Sequence, residues 1–241
     1  MSDQGFFVQV FEWFTDPEQW SGSSGIPVRL VEHLQISGIA IAVAALVALP
    51  AAMYIGHRRR LEFLVVSVAN LGRAIPSFGL LFLFVILLGI GGEAVLIAMT
   101  LLAIPPILTN TYVGIQAVDP DTLEAARGMG MSELRVLTGI EVPLAGPVIV
   151  AGLRTAAVQV VATATLAAVV AGGGLGRFIQ DGFASGDRPQ IFGGAVLVAL
   201  LAIVVDLGFG LFQRAVVPRT SSGERPSAEP VPLPPVPGPA A

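Results

Sequence analysis

The hydropathy of this chain constrains its fold more than any other property, because five apolar segments are each long enough to cross a bilayer. A helix needs about 20 apolar residues to span the hydrocarbon. The sequence is 54% hydrophobic and only 12% charged, whereas ordinary soluble domains carry about 25% charged residues. The chain is therefore predicted to be an all-α integral membrane protein, with spans at 34–55, 61–90, 94–115, 147–170 and 191–212.

The segment 61–90 is longer than one straight span requires, and it contains Pro76. Basic residues favour the cytoplasmic side of a membrane, and they occur at 57–60, within 124–143 and after the last segment. These three regions share one side only if segment 61–90 crosses once, with its helix kinked at Pro76. We therefore predict about five spans, a kinked second span, the N-terminus outside and the C-terminus inside.

The residue types that are missing exclude several classes of function. The chain has no Cys, and all 13 basic residues are Arg. A Walker A loop, a Schiff-base enzyme and a thiolate metal site are therefore excluded. Two His residues and a net charge of −4 predict no metal site and no nucleic-acid partner. The glycine-rich stretch 171–176 follows no strand and precedes no Lys, so it is predicted to be an outer turn.

Both ends of the chain differ in composition from the predicted transmembrane domain at 31–215. Residues 1–30 are acidic and aromatic, which favours an extracytoplasmic interfacial helix with Trp13 and Trp20 at headgroup level. A frayed tail is the alternative for this segment. Residues 216–241 are rich in Pro, which predicts a disordered cytoplasmic tail.

The stretch "EAARGMGMSELRVLTGIEVP" at 124–143 is polar between two apolar spans. Asp121 and Glu124 have the spacing of a capping box, and Gly128 and Gly130 would end the first of two short helices. Ser132 would then cap the second helix. The spacing alone leaves two interpretations open: a helix pair that only covers its own membrane domain, or a surface for another protein.

Seven positions in this stretch resemble the EAA signature of ABC importer permeases, with Val142 in place of Leu as the departure. The resemblance implies a cytoplasmic coupling-helix pair at 119–143, between spans 3 and 4, that docks on a separate ATPase subunit. This chain would then bind no cofactor, and ATP and Mg²⁺ would belong to the partner. The implied ATPase-coupling residues are Glu124, Ala125, Ala126, Arg127, Gly130, Ile140 and Pro143.

Longer stretches resemble the permease branch for quaternary-amine osmoprotectants, namely glycine betaine, choline or carnitine. They include "ANLGRAIPSFGLL" (69–81) and "LLAIPPILTNTYVGIQAVD" (101–119). The resemblance implies a bacterial cytoplasmic (inner) membrane location, a second permease as homo- or heterodimer partner and an extracytoplasmic substrate-binding protein. A permease for another small solute, such as an amino acid, and an ATP-independent secondary transporter remain alternatives.

Polar residues inside spans are costly and face bundle interiors or water-filled cavities. They are therefore the candidates for a translocation path, with intrahelical bonding as the alternative for the threonines. Two charges, Arg154 and Asp206, lie at similar predicted depths in spans 4 and 5, which suggests a structural ion pair. The candidate path residues are Asn70, Arg73, Ser77, Thr109, Asn110, Thr111, Gln159, Thr163 and Thr165.

Overall fold

The computed structural model describes residues 5–170 and 173–216, and the regular structure in these ranges is helical. The predicted proline-rich tail falls, from residue 217 onward, outside the described residues. The α-helices are α1 (Phe6–Thr15), α2 (Ile26–Arg58), α3 (Glu62–Ala74), α4 (Ser77–Leu88), α5 (Gly92–Gln116), α6 (Pro120–Gly128), α7 (Glu133–Val136), α8 (Val142–Thr163), α9 (Ala167–Val170), α10 (Gly176–Ser185) and α11 (Arg188–Val216). Short 3₁₀ turns lie at Pro17–Trp20 and Ala164–Leu166, and a π-helical turn lies at Leu137–Glu141.

Four helical runs in the described ranges are long and apolar enough to cross a membrane: α2, α5, the run Glu133–Val170 and α11. Helices α3 and α4 form a fifth, broken unit, bent by 92°. The break follows from Pro76, because the residue before a proline is driven out of the helical region. Ile75 is accordingly extended, with φ −81° and ψ 120°.

The contacts at the helix ends decide how often the α3–α4 pair crosses the bundle. The Gln116 side chain at the end of α5 donates to the Gly56 carbonyl at the end of α2, at 3.0 Å. Since α2 and α5 both end at this level, the chain between them must return to the opposite end once. The prediction of about five spans is confirmed, and the predicted kink in the second span is a bend of 92° that divides it into α3 and α4.

The three regions whose basic residues predicted the topology gather at one end of the bundle. His57 contacts both Glu133 and Glu141 of the stretch between α5 and α8. The Gln213 side chain near the end of α11 donates to the Pro147 carbonyl near the start of α8, at 2.9 Å. These three regions, 57–60, 119–143 and 213–216, therefore share one end of the bundle, and the start of α2 lies at the opposite end.

The centre of the bundle is α5, which packs against α2 on one side and α8 on another. The face of α2 toward this core consists of small side chains at every fourth position, which lets the two backbones approach closely. On the other side, a Cβ added at Gly152 of α8 would lie 2.7 Å from the Asn110 side chain. The fully buried small residues of α2 are Ala40, Ala44, Ala48 and Ala52.

The N-terminal helix α1 packs across α11. The Trp13 indole is buried against the Phe178 ring, with centroids 5.5 Å apart, and it fills the space beside Gly193. The Trp13 side chain therefore contacts the protein and anchors α1 to α11 and α10. Trp20 is exposed, and its indole N–H donates to the Phe14 carbonyl at 2.8 Å.

Candidate functional site

The coupling segment, residues 119–143, begins with an Asp cap on α6. The Asp119 side chain accepts a hydrogen bond from the Asp121 backbone N–H at 2.9 Å. The predicted cap at Asp121 is wrong by two residues, because Pro120 takes the first helical position, where its missing N–H costs nothing. Glu124 is consequently not part of a capping box and is exposed. Ser132 does precede α7, but its side chain makes no capping hydrogen bond.

Gly130 ends the turn after α6 in a left-handed conformation, with φ +82°. Its backbone N–H donates to the Arg127 carbonyl at 2.9 Å, and the Met131 N–H donates to the Ala126 carbonyl at 3.2 Å. These two bonds are the pair that defines a Schellman motif, in which the left-handed position favours glycine. The glycine of the signature is therefore required by the backbone of the segment itself.

The coupling segment has its own small core, formed by Val118, Leu123, Ala126 and Val136, against which Ile140 packs. The signature residues thus separate into two groups. Ala126 and Ile140 hold the segment together. The exposed group comprises Glu124, Ala125, Arg127, Gly130 and Pro143.

Two large apolar side chains also project from this segment. Met129 is 77% exposed and Leu134 is 70% exposed. Exposed apolar groups on a folded helical segment are typical of a protein interaction site. The signature does not include either residue, so the sequence-based prediction missed them.

A buried polar cluster joins the coupling segment to α2. The His57 Nδ1 lies 2.5 Å from Glu141 Oε2, and its Nε2 lies 3.1 Å from Glu133 Oε2. Glu141 is 1% exposed and closes the π-helical turn. The sequence-based prediction used His57 only as a marker of membrane side. One feature of the sequence could have indicated this cluster: Glu141, an acidic residue at the start of an apolar span, needs a partner.

Glu133 also binds Arg127, from α6. The Arg127 Nε and Nη2 donate to the two Glu133 oxygens at 3.0 and 3.2 Å. These hydrogen bonds raise the pKa of the Arg127 guanidinium, which stays charged. The cluster therefore runs from α6 through α7 to the end of α2 and to the start of α8.

A cavity of about 240 Å³ lies between α3, α5 and α8. It brings together three predicted path residues, Thr109, Asn110 and Gln159. Thr155, one helical turn before Gln159, was missed by the sequence-based prediction. All lining residues in the described ranges are neutral and non-aromatic: Ala69, Gly72, Leu102, Pro105, Pro106, Thr109, Asn110, Thr155 and Gln159.

Two adjacent prolines make the cavity rich in hydrogen-bond acceptors. Pro105 and Pro106 have no N–H, so the helical partners of the Leu101 and Leu102 carbonyls are missing. The Asn110 amide N–H donates to the Pro106 carbonyl at 2.8 Å, which leaves the side-chain oxygen of Asn110 as an acceptor. The Thr109 hydroxyl is buried and has no hydrogen-bond partner in the described part of the chain.

The other predicted path residues do not line this cavity. Asn70 on α3 is exposed, and Ser77 begins α4. The Thr163 and Thr165 hydroxyls donate to the Gln159 and Ala162 carbonyls of their own helical run. Thr111 is buried. The side chain of Arg73 lies outside the described part of the structure.

Arg154 on α8 and Asp206 on α11 meet in a two-point contact. The Arg154 Nε and Nη2 donate to the Asp206 Oδ1 and Oδ2, each at 2.5 Å. The two side chains are 36% and 38% exposed. The pair lies on the outside of the bundle, away from the cavity-lining residues.

The opposite end of the bundle is closed by contacts between α2 and the glycine-rich turn. Glu32 accepts from the Gly174 N–H at 2.8 Å, and His33 Nδ1 accepts from the Leu175 N–H at 3.3 Å. His33 Nε2 then carries the hydrogen and donates to the Val161 carbonyl of α8, at 2.9 Å. We call these contacts the outer closure. The glycine-rich turn marked this end in the sequence, but its partners on α2 were not predicted.

A five-span bundle with a polar cavity, and with a helical segment that has its own small core at one end, is the arrangement expected of a membrane transport permease. The chain belongs to the family of binding-protein-dependent transport system inner membrane components, which matches residues 36–222. It is accordingly a multi-pass protein of the bacterial inner membrane and a transport component by family.

Three curated relatives cover most of the chain. The choline transport system permease protein OpuBB of Bacillus subtilis is 37% identical over 79% of this chain and 88% of its own length. The glycine betaine/carnitine/choline transport system permease protein OpuCB of the same organism is 36% identical over 80% and 88%. The carnitine transport permease protein OpuCB of Listeria monocytogenes is 34% identical over 84% and 93%.

The fold is also found among solved structures. A chain of the MetNI methionine ABC transporter in an inward-facing conformation aligns with a TM-score of 0.70. The alignment covers 84% of this chain and 99% of that chain, at 22% identity. At this identity the likeness establishes the shared fold.

Proposed function

We propose that this chain is the membrane-spanning permease subunit of an ATP-driven importer for a quaternary-amine osmoprotectant, such as glycine betaine, choline or carnitine. The observation that carries the proposal is the 34–37% identity to the three permeases named above, over 79–84% of this chain. In this proposal residues 31–215 form the permease domain, residues 1–30 an extracytoplasmic segment and residues 216–241 a cytoplasmic tail.

The coupling segment is the proposed docking site of a separate ATPase subunit. Its exposed signature residues would contact the ATPase, and Met129 and Leu134 would enter an apolar groove on it. Ala126 and Ile140 would act indirectly, by holding the segment in shape. The sequence has no Lys, so ATP and Mg²⁺ are assigned to the partner and no cofactor to this chain.

Two further partners complete the proposed importer. A second permease, either a copy of this chain or a sister chain, would face the cavity and complete the path. An extracytoplasmic binding protein would deliver the solute at the end where the outer closure lies. High affinity is assigned to that binding protein, because the cavity lining has no aromatic ring for a cation–π cage.

The cavity is the proposed part of the path within this chain. A quaternary ammonium group cannot donate a conventional hydrogen bond, and neutral oxygen acceptors can face its positive charge without trapping it. The Asn110 amide oxygen, the Thr109 hydroxyl and the Gln159 side chain offer such a surface. The proposed path continues along α3 and α4, past Asn70, Arg73 and Ser77. Thr163, whose hydroxyl bonds within α8, is left out of the proposed path.

The decisive experiment is reconstitution of the chain with its ATPase, its binding protein and its second permease in lipid vesicles. We expect ATP hydrolysis and uptake to be stimulated by glycine betaine, choline or carnitine, and not by amino acids such as methionine. Stimulation by an amino acid alone would show that the chain serves an ATP-driven importer of amino acids and not of osmoprotectants. Uptake that needs no ATP would instead establish a secondary transporter.

Replacing Gln159, whose side-chain amide lines the cavity, tests whether the solute passes through this cavity. We expect Gln159→Ala to raise the osmoprotectant concentration for half-maximal stimulation about fivefold, as loss of one contact worth about 1 kcal/mol implies. Thr163→Ala is the matched control, because its hydroxyl already bonds within α8 and should not face the solute. Equal effects of the two substitutions would remove Gln159 from the path.

A further inference from the structure

We infer that His57 is a positioning residue that fastens the coupling segment to α2, so that α2 carries motion of that segment to the outer closure. This inference rests on the proposed function, because it concerns how ATPase-driven motion crosses the membrane domain. The proposed route of motion passes through His57, which is not part of the coupling signature.

The first argument is connectivity. The coupling segment continues directly into α5 at one end and into α8 at the other, so both helices follow it through the backbone. Helix α2 ends at Arg58, about 60 residues earlier in the sequence. Movement of this segment can therefore reach α2 only through tertiary contacts, namely the packing of α5 on α2 and the side-chain contacts at the end of α2.

The second argument is the geometry of those contacts. Each His57 ring nitrogen faces a carboxylate oxygen, Glu141 at 2.5 Å and Glu133 at 3.1 Å. Carboxyl oxygens accept hydrogen bonds, so each ring nitrogen of His57 has its own partner on the coupling segment. The His57 side chain is 8% exposed, and a hydrogen bond away from water is electrostatically stronger than one at the surface.

The third argument is the other end of α2. This unbroken helix of 33 residues is about 50 Å long at 1.5 Å per residue. Near its start lie Glu32 and His33, which make the outer closure with Gly174, Leu175 and Val161. One helix, continuous through Pro50, thus contacts the coupling segment at one end and the glycine-rich turn at the other.

The test separates the two contacts of His57, one with Glu141 and one with Glu133. In the H57N variant the side-chain amide can reach Glu141 in place of Nδ1, and in the H57Q variant it can reach Glu133 in place of Nε2. Because H57Q leaves the buried Glu141 without its partner, H57Q is combined with E141Q. The readout is solute transported per ATP hydrolysed by the reconstituted complex, with ATPase binding measured by co-purification.

We expect H57N to lower transport per ATP about fivefold, the loss of one contact worth about 1 kcal/mol, with ATPase binding retained. H57Q combined with E141Q should keep transport per ATP within about twofold of the wild type, because it retains the contact to Glu133. Glu141 directly precedes α8, which already follows the segment through the backbone. Arg60→Ala is the neighbouring control, since Arg60 is exposed beyond α2, and it should leave the ratio unchanged.

A second variant keeps the test valid if the buried substitutions fail to fold. Glu133 is more than half exposed, so Glu133→Ala should fold, and it should reproduce the H57N result. The inference is overturned if H57N and E133A transport as much solute per ATP as the wild type. It is also overturned if H57N and the H57Q variant lose equal amounts of transport per ATP. A wild-type complex that does not couple ATP to uptake would instead overturn the proposed function.

Discussion

Loss of either charge of the Arg154–Asp206 pair is expected to reduce the amount of folded protein in the membrane by on the order of tenfold. The two side chains satisfy each other with two hydrogen bonds at 2.5 Å. Either Arg154→Ala or Asp206→Ala leaves one ionised group on a helix surface inside the bilayer. An unpaired charge at such a depth opposes insertion and helix packing.

Exchange of the two charges, R154D combined with D206R, is the discriminating variant. We expect it to restore at least half of the folded protein relative to wild type, as measured by detergent-resistant dimer or complex yield and by thermal unfolding. Arg214→Ala serves as the control, because Arg214 lies in the last turn of the same helix α11. If the exchange recovers no more protein than either single substitution, the two residues do not act as a pair.

Replacement of Gly130 by Val is expected to uncouple the importer while leaving the chain in the membrane. A β-branched side chain is strongly disfavoured at φ +82°, since the left-handed region costs about 1–2 kcal/mol for residues other than glycine. The Schellman turn would open and move Met129 and Leu134 relative to each other. We expect uptake per ATP to fall by on the order of tenfold, with 1.4 kcal/mol equal to a factor of ten.

Two matched variants separate backbone strain from crowding at the ATPase. Gly130→Asn adds a side chain but tolerates the left-handed conformation, so it should retain most of the coupling. Gly128→Ala adds a Cβ two residues away, where nothing lies within 4 Å and φ is not positive, and it should be neutral. Normal ATP-driven uptake by the valine variant would remove Gly130 from the coupling mechanism.

The sequence predicted the large-scale architecture because hydropathy and charge act over whole segments. The number of crossings followed from the positions of 57–60 and 124–143 relative to the apolar runs. The size of the bend at Pro76 could not be predicted, because a proline removes one hydrogen bond and neighbouring helices then set the angle. Asp121 was predicted as a cap in place of Asp119 because both are Asp next to Pro120.

The site was less accessible to sequence reasoning where it depends on contacts between distant segments. Arg154 and Asp206 were found from their depth, since a charge inside a span demands a partner. His57 was missed, because its partners Glu133 and Glu141 lie more than 70 residues away. Thr155 was missed because facing the cavity depends on the rotation of α8 about its own axis, which hydropathy does not report.

That rotation depends on the π-helical turn at Leu137–Glu141, which takes up one more residue than an α-helical turn would. Gln159 and Arg154 lie about 140° apart around α8, at about 100° per residue, so one points to the cavity and the other to α11. The wide turn therefore sets the angular phase of the whole helix. Deletion of a single residue there would rotate α8 and turn both side chains away from their partners. The solute path and the ion pair therefore both depend on this π-helical turn.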